Sequence, residues 1–145
     1  MTLDIDDLRR HAANGSVVAQ SVLGIACLEG IGCAPDYSEA FVWLSAAAEK
    51  RAPRAMVNLG RMYEHGQGVP PDPGRALELY RGGALGGEFF GCIYLARLLA
   101  SGKLGSVDEH AAVHWYGEAL AQALVNDSPE HHEAQAYVAA HGGRS

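Results

Sequence analysis

The sequence predicts an all-α protein in which pairs of helices stack as a solenoid, and two observations support this. A leucine followed by a small residue recurs every 36 residues, at Leu23-Gly24, Leu59-Gly60 and Leu95-Ala96. Each leucine is followed at fixed distances by a glycine and an aspartate, with apolar residues at helical spacing on either side of that turn. A period of roughly 20–50 residues is the signature of stacked repeats. We therefore expect one domain over residues 1–145, with about eight helices and no sheet.

The N-terminal part predicts a capping helix followed by the first repeat. Residues 1–14 form the cap, because their apolar residues align with a second repeat helix when shifted by 36 positions. The first repeat covers residues 15–50, and Gly30 ends its first helix where a left-handed residue is needed. Asp36 then begins the second helix, with Glu39 three residues later at the spacing of a capping box.

The second and third repeats follow the same plan with decreasing regularity. Residues 51–86 copy the first repeat, with Asp72 at the start of their second helix. Residues 87–124 are looser, since their second turn glycine is displaced to Gly105. The glycine-rich segment 82–87 predicts a loosened junction between these two repeats.

The C-terminal segment predicts a second capping helix over residues 128–142. Ser128 is a favourable N-cap, and Pro129 occupies the first helical position, where its missing N–H costs nothing. The segment is out of phase with the repeat by a few residues. We interpret it as the cover for the last open face of the stack.

Composition limits the partners. A net charge of −6, with 48% hydrophobic and 19% charged residues, is typical of a soluble globular chain. The negative charge argues against a broad nucleic-acid or anionic-membrane surface, so neither is expected as a partner. The N-terminus lacks a basic segment followed by an apolar one, so it is not a secretory signal as it stands. No apolar run has the length of a membrane span.

Cysteine usage favours a reducing compartment. Cys27, Cys33 and Cys92 are an odd and sparse set, which fits small buried side chains better than a disulfide framework. Cys27 and Cys33 flank one turn, and a bridge between them stays open as an alternative. We expect a cytoplasmic protein.

The second repeat carries a recognisable pattern. Alanine, leucine-glycine, tyrosine, two turn glycines, valine and aspartate follow one another, and an alanine-bearing helix comes next. These are Ala55, Leu59-Gly60, Tyr63, Gly66, Gly68-Val69, Asp72, Ala76 and Tyr80. The chain thereby resembles the Sel-1-like repeat family, a relative of the tetratricopeptide repeats, over about residues 15–124. The first repeat departs from the pattern at Cys27 and Cys33, and the third at Ala96 and Leu99.

The resemblance implies a right-handed αα-superhelical solenoid with a scaffold or adaptor role. It supplies no catalytic residue and no cofactor. It also implies that first helices line the concave face. Six residues on the outward side of these helices are candidates for partner binding: Arg54, Asn58, Arg61, His65, Tyr94 and Arg97. Other outward positions by phase include Val57 and Ile93.

The arginines define the expected chemistry of that face. Arg61 and Arg97 are equivalent residues one repeat apart, with Arg54 close to the same stripe. Guanidinium groups on a rigid surface suit an acidic peptide segment or a C-terminal carboxylate. The alternative is that both arginines are solvated or pair within the chain with neighbours such as Glu64.

Two histidines are the candidates for another class of function. His110 and His114 stand at i, i+4 on one helix face, within reach of a shared zinc ion. The sequence supplies no third or fourth ligand, and Ala111 stands where zinc metalloproteases carry glutamate. A solvated helix face is the preferred interpretation, so we assign no metal site. A metal-binding or enzymatic protein stays as the alternative.

We therefore predict a non-enzymatic scaffold that binds a partner protein or peptide, such as one with an acidic segment, on its concave face. Within the same fold, the alternative is an inhibitor or immunity-type protein that neutralises one specific partner. A homodimer through the solenoid ends is open if the terminal helices expose apolar faces.

Overall fold

A computed structural model describes residues 4–122 and 128–143, which contain eight α-helices and no strand. The helices are α1 Ile5–Ala13, α2 Val17–Glu29, α3 Tyr37–Glu49, α4 Pro53–His65, α5 Pro73–Leu85, α6 Phe89–Ser101, α7 Glu109–Gln122 and α8 Pro129–His141. Each packs mainly on its neighbours in sequence, and first helices also touch across repeats, α2 on α4 and α4 on α6. The predicted all-α solenoid of about eight helices is confirmed.

Three equivalent aspartates build the turn inside each repeat. Asp36, Asp72 and Asp108 each accept a hydrogen bond on Oδ1 from the backbone N–H three residues later, at 3.1, 3.1 and 3.0 Å. Their own N–H groups donate to the carbonyl oxygen nine residues earlier, at 2.8, 2.8 and 2.9 Å. Each aspartate thus caps the second helix and ties its start to the end of the first. The displaced Gly105 leaves both bonds of the third repeat intact.

The glycine of the leucine-glycine pair allows two helices to approach closely. A Cβ on Gly24 would lie 2.6 Å from Leu44 Cγ, and one on Gly60 would lie 2.8 Å from Tyr80 Cδ1. Both partners belong to the second helix of the same repeat and are fully buried. The glycine therefore offsets its poor helix propensity by allowing this contact.

The junction between the second and third repeats is tightly packed, so the predicted loosening is wrong. Gly82 and Gly83 are buried inside α5. A Cβ on Gly83 would lie 2.4 Å from Val57 Cγ2, and one on Gly91 would lie 2.7 Å from the backbone nitrogen of Ala84. Glycine is present here because α4, α5 and α6 leave no room for a side chain.

The turns between repeats contain one unusual backbone conformation. Gly15, Arg51 and Gly87 are equivalent residues 36 positions apart, with φ of 92°, 63° and 88°. Within the described ranges, Arg51 is the one non-glycine residue with positive φ. An L-residue pays about 1 kcal/mol or more to adopt this left-handed conformation.

Two groups of buried apolar residues form the core, one along α1–α4 and one along α4–α8, and Tyr63 packs against both. Across residues 4–122 and 128–143, no helix has the length and hydropathy to cross a membrane. The large exposed apolar side chains of the same residues lie elsewhere than on α1 and α8. The end-to-end dimer that the sequence left open thus has no apolar patch on these two helices.

Candidate partner-binding groove

A groove of about 210 Å³ lies between the first helices α2, α4 and α6, and we call it the first-helix groove. Four of the six predicted residues line it: Arg54, Asn58, Arg61 and Tyr94. Their neighbours in the lining are Ile25, Glu29, Val57, Glu88 and Phe90. The 36-residue phase brings these side chains together, because equivalent positions of successive first helices lie side by side.

Arg61 is held in place from several sides. Its Nη1 donates to Glu29 Oε1 at 3.0 Å and to Asn58 Oδ1 at 3.1 Å. Its guanidinium carbon lies 5.5 Å from the centroid of the Tyr94 ring, a cation–π distance. The Arg61 and Glu29 side chains are 29% and 41% exposed, so the ion pair is open to solvent and to exchange with another carboxylate.

Arg97 also lies near the Tyr94 ring and is fixed by Glu133 of α8. Its Nε lies 2.9 and 3.1 Å from the two carboxylate oxygens of Glu133, while its guanidinium carbon lies 5.7 Å from the Tyr94 ring centroid. Tyr116 Oη also donates to Glu133 Oε1, at 2.6 Å. The hydrogen bond from Arg97 lowers the pKa of Glu133, against the opposing effect of burial. Arg97 thus ties α6 to the C-terminal helix.

Sequence reasoning missed Glu133, although a signal was present. Glu133 follows Arg97 by 36 residues, the interval that separates Arg97 from Arg61. Treating α8 as out of phase concealed this relation. The alternative in which the arginines pair within the chain is thus realised, with Glu29 and Glu133 as partners.

Glu64, the neighbour that the sequence suggested for that pairing, has other partners. It accepts hydrogen bonds from Tyr80 Oη at 2.8 Å and from Lys103 Nζ at 2.7 Å. Burial works against ionisation of this carboxyl, but the two hydrogen bonds outweigh it and lower the pKa of Glu64. Burial and the same contact raise the pKa of Tyr80.

Arg54 is the cation that the groove leaves available. Among the described residues its guanidinium has no hydrogen-bond or carboxylate partner, while its backbone carbonyl accepts from Asn58 Nδ2 at 2.8 Å. It also borders a second, mainly apolar cavity of about 240 Å³ that continues along α2. The lining there is Val17, Val18, Ser21, Val22, Ile25, Ala52, Pro53 and Arg54. Arg54 thus has apolar side chains beside it in both cavities, so this surface is amphipathic.

Besides Glu133, the sequence prediction also omitted exposed apolar side chains on this face from the candidate binding residues. Val18 is 74% exposed and Phe90 40% exposed, at positions equivalent to Arg54 in the first and third repeats. By contrast, Val57 and Ile93 are 2% and 0% exposed, so the expectation that they point outward is wrong. Val57 packs against Gly83 and Gly91 at the junction of two repeats, and Ile93 is part of the core. The helical phase of a single segment does not include contacts of this kind.

The remaining predicted residues and candidates lie outside this groove. His65 is exposed at the C-terminal end of α4 and does not line the groove. His110 and His114 line a separate cavity of about 450 Å³ with Glu109 and with His141 of α8. Within residues 4–122 and 128–143, no group of three or more His, Cys, Asp or Glu side chains is arranged to hold a metal ion.

The cysteines are free thiols. Cys27 and Cys92 are fully buried, and burial raises their pKa values to about 12 and about 11. Cys33 is half-buried and also free. Buried thiols of this kind behave as small apolar side chains.

The comparison with known families decides which group of proteins this solenoid represents. The family model "Sel1 repeat" matches residues 17–51, 53–87 and 90–124. The chain belongs to the Sel1 repeat family. Protein sel-1 homolog 2 of Mus musculus and of Rattus norvegicus are each 39% identical to it over 72 residues, 49% of this chain and 10% of theirs. The chain thus spans about a tenth of the length of these curated relatives.

Solved structures with the same fold include three bacterial proteins. A protective antigen of uropathogenic Escherichia coli strains, which displays an SLR fold, has a TM-score of 0.84 at 29% identity over 94% of this chain and 29% of its own. A Sel1 repeat protein from Oxalobacter formigenes has a TM-score of 0.75 at 31% identity, over 84% of this chain and 50% of its own. Helicobacter pylori cysteine rich protein B reaches 0.66 at 25% identity, over 90% of this chain and 96% of its own.

Proposed function

We propose that this Sel1 repeat chain is a non-catalytic interaction module whose first-helix groove binds a segment of a partner protein. Such repeats generally mediate protein interactions. The observation that supports this groove in particular is the unpartnered cation Arg54 between the exposed side chains of Val18 and Phe90. Apolar surface with a charge at its centre is typical of sites that bind a peptide with both affinity and orientation.

The proposed partner segment is acidic and carries apolar side chains. A carboxylate placed between α2 and α6 would meet Arg54 directly. It would also compete with Glu29 for Arg61, because that ion pair is partly exposed. Arg97, fixed by Glu133, would support Tyr94 at the edge of the site.

Affinity capture with groove variants tests the proposal. We expect the wild-type chain to capture a partner, and both the Val18→Ser, Phe90→Ser double variant and Arg54→Glu to lose it. Val42→Ser is the matched control, since Val42 is 57% exposed on α3, away from the groove. Equal capture by all variants would show that the first-helix groove is not the binding surface.

Titration of the captured partner separates the two candidate roles. An adaptor should bind a short segment with micromolar affinity that falls as salt screens Arg54. An inhibitor of one partner should bind a folded protein with nanomolar affinity. We propose the adaptor role. We also propose a reducing, cytoplasmic compartment, because Cys27, Cys33 and Cys92 are free thiols.

A further inference from the structure

A second groove, of about 520 Å³, lies between the second helices α3 and α5, and we call it the second-helix groove. Met56, Leu59 and Tyr63 of α4 line it, and Phe41 of α3 and Leu79 of α5 contribute apolar walls. None of these residues lines the first-helix groove. The proposed function therefore leaves this groove without a role.

The repeats on either side have an indole at the equivalent position. Trp43 and Trp115 stand 36 residues before and after Leu79. Both are partly buried against the core, and Trp43 Nε1 donates to Glu39 Oε1 at 3.4 Å. Leucine lacks the fused ring system that tryptophan supplies. The middle repeat therefore has a smaller apolar side chain beside its groove than its neighbours have at the equivalent position.

An ion pair joins α1 to α3, the helices before this groove, but the equivalent pair is absent between α3 and α5. Arg9 of α1 bonds Glu39 of α3 through Nε at 2.7 Å and Nη2 at 3.0 Å. In the next repeat the equivalent residues are Ser45 and Arg75, which cannot form this pair. Arg75 instead places its guanidinium 5.2 Å from the Tyr63 ring centroid, inside the groove. The groove thus lacks both the indole of the flanking repeats and the salt bridge across it.

The rim carries a second arginine in a strained backbone conformation. Arg51 has a φ of 63° at the position where the other turns use Gly15 and Gly87. Neither Arg51 nor Arg75 forms a salt bridge within the described part of the chain, although Glu49 and Glu78 also lie on the rim. Residues in such conformations cluster at functional sites, where the surrounding structure holds them in place.

We propose that the second-helix groove binds one aromatic side chain of a partner protein, in the place where the flanking repeats carry Trp43 and Trp115. An adjacent carboxylate of that partner contacts Arg75 and Arg51. The apolar floor matches the ring, and Arg75, whose guanidinium lies inside the groove, matches the acid. Glu49 and Glu78 balance the formal charge of the rim, so this local cation provides the charge complementarity. This surface is independent of the first-helix groove, and either proposal can fail without the other.

N-acetyl-tryptophan is a minimal probe, because it carries an indole and a carboxylate. In heteronuclear NMR spectra of the labelled chain, we expect saturable shifts at Tyr63, Arg75 and Leu79. N-acetyl-tryptophanamide, which lacks the carboxylate, should bind about tenfold more weakly, the loss of one charge-assisted contact. N-acetyl-leucine should leave these resonances unchanged. No shift at these residues, or shifts centred on Val18 and Phe90, would overturn the proposal.

A substitution that fills the second-helix groove with a side chain of the protein itself provides a second test. Leu79→Trp gives the middle repeat the side chain of its neighbours, and we expect it to abolish the probe-induced shifts. Val42→Trp adds an indole on exposed α3 surface outside the groove and should bind the probe like the wild type. Unchanged binding by a folded Leu79→Trp variant would refute the site.

A surface variant keeps the test valid if Leu79→Trp does not fold. Arg75 is exposed, so Arg75→Gln should fold normally. It should reduce the affinity for N-acetyl-tryptophan about tenfold, to the affinity that the wild type has for N-acetyl-tryptophanamide. The affinity for N-acetyl-tryptophanamide itself should not change. If Arg75→Gln binds both probes as the wild type does, the carboxylate contact is refuted. Equal losses for both probes would contradict it as well.

Discussion

At the scale of single residues, positions 36 residues apart have equivalent places in neighbouring repeats, so one repeat can serve as a control for another. Gly15, Arg51 and Gly87 occupy the same turn position with the same sign of φ. Their difference is therefore one of side chain and not of fold. This makes the energetic effect of an L-residue in a left-handed turn measurable within one chain.

Replacing Arg51 with glycine should stabilise the fold. Relief of the left-handed conformation should raise the free energy of unfolding by about 1 kcal/mol. Glycine also gives the unfolded chain more conformational entropy, which offsets part of that gain. We expect the free energy of unfolding to rise by about 0.5 kcal/mol in urea titrations. The reciprocal Gly87→Ala should lower it by about 1 kcal/mol, although nothing lies within 4 Å of the added Cβ. A stabilised Gly87→Ala would contradict this interpretation of the turn.

Glu133 is the residue that connects the arginine stripe to the C-terminal helix. Its folded-state pKa is lowered by the hydrogen bond from Arg97, so its contribution to stability is complete above the unfolded pKa of about 4.3. That contribution is lost as the pH falls through the folded-state pKa. Glu133→Gln should therefore cost about 1 kcal/mol at pH 7 and progressively less as the pH falls below the unfolded pKa.

Thermal melts of wild type and Glu133→Gln across this pH range measure the difference. Glu130→Gln is a suitable control, since it removes a carboxylate from the same helix without breaking the pair with Arg97. A stability difference that grows as the pH falls would contradict the assigned sign.

At the scale of the helices, small residues set how closely the two helices of a repeat approach. Gly60 lies against Tyr80, and a Cβ there would lie 2.8 Å from two carbon atoms of that ring. Gly117 of α7 has no neighbour within 4 Å of an added Cβ. The same substitution should therefore have opposite effects at these two helical sites.

Gly60→Ala should destabilise the protein by roughly 1–3 kcal/mol, because a tightly packed ring has to shift. Gly117→Ala should stabilise it by up to about 1 kcal/mol through helix propensity alone. Chemical denaturation of the two variants checks both values. If both variants were stabilised, close helix approach would not be the reason for glycine in the leucine-glycine pair.

At the scale of the whole molecule, the two faces of the solenoid differ in how they are occupied. The first-helix face is crossed by contacts that run from Glu29 through Arg61 and Tyr94 to Arg97 and Glu133. On the opposite face, the Arg9–Glu39 pair bridges α1 and α3, whereas the second-helix groove lies open between α3 and α5. Local departures from the repeat pattern thus produce distinct surfaces on a regular fold.

Salt should affect the two proposed surfaces unequally. Binding at the first-helix groove depends on Arg54 and on competition for the exposed Arg61–Glu29 pair, so a segment bound there should weaken severalfold between about 50 and 500 mM salt. The ring contact in the second-helix groove is mainly apolar, so N-acetyl-tryptophanamide should bind there with little salt dependence. Isothermal titration at both salt concentrations measures this. Equal salt dependence would contradict the assigned chemistry.

The sequence by itself determined the architecture of this protein. A period of 36 residues, an aspartate at every internal turn and small residues at fixed positions predict helix pairs that stack, because those are local and nearest-neighbour properties. It also placed Arg54, Asn58, Arg61 and Tyr94 on one face, since a phase relation carries from repeat to repeat.

Only the tertiary structure decided what those residues contact. Burial of Val57 depends on how successive repeats meet, and the tight junction at Gly83 and Gly91 depends on the distance between helices. The pairing of Arg97 with Glu133 depends on where α8 packs, although the two residues are 36 positions apart in the sequence. These are contacts between elements, and the repeat period specifies positions within an element but not the fit between two of them.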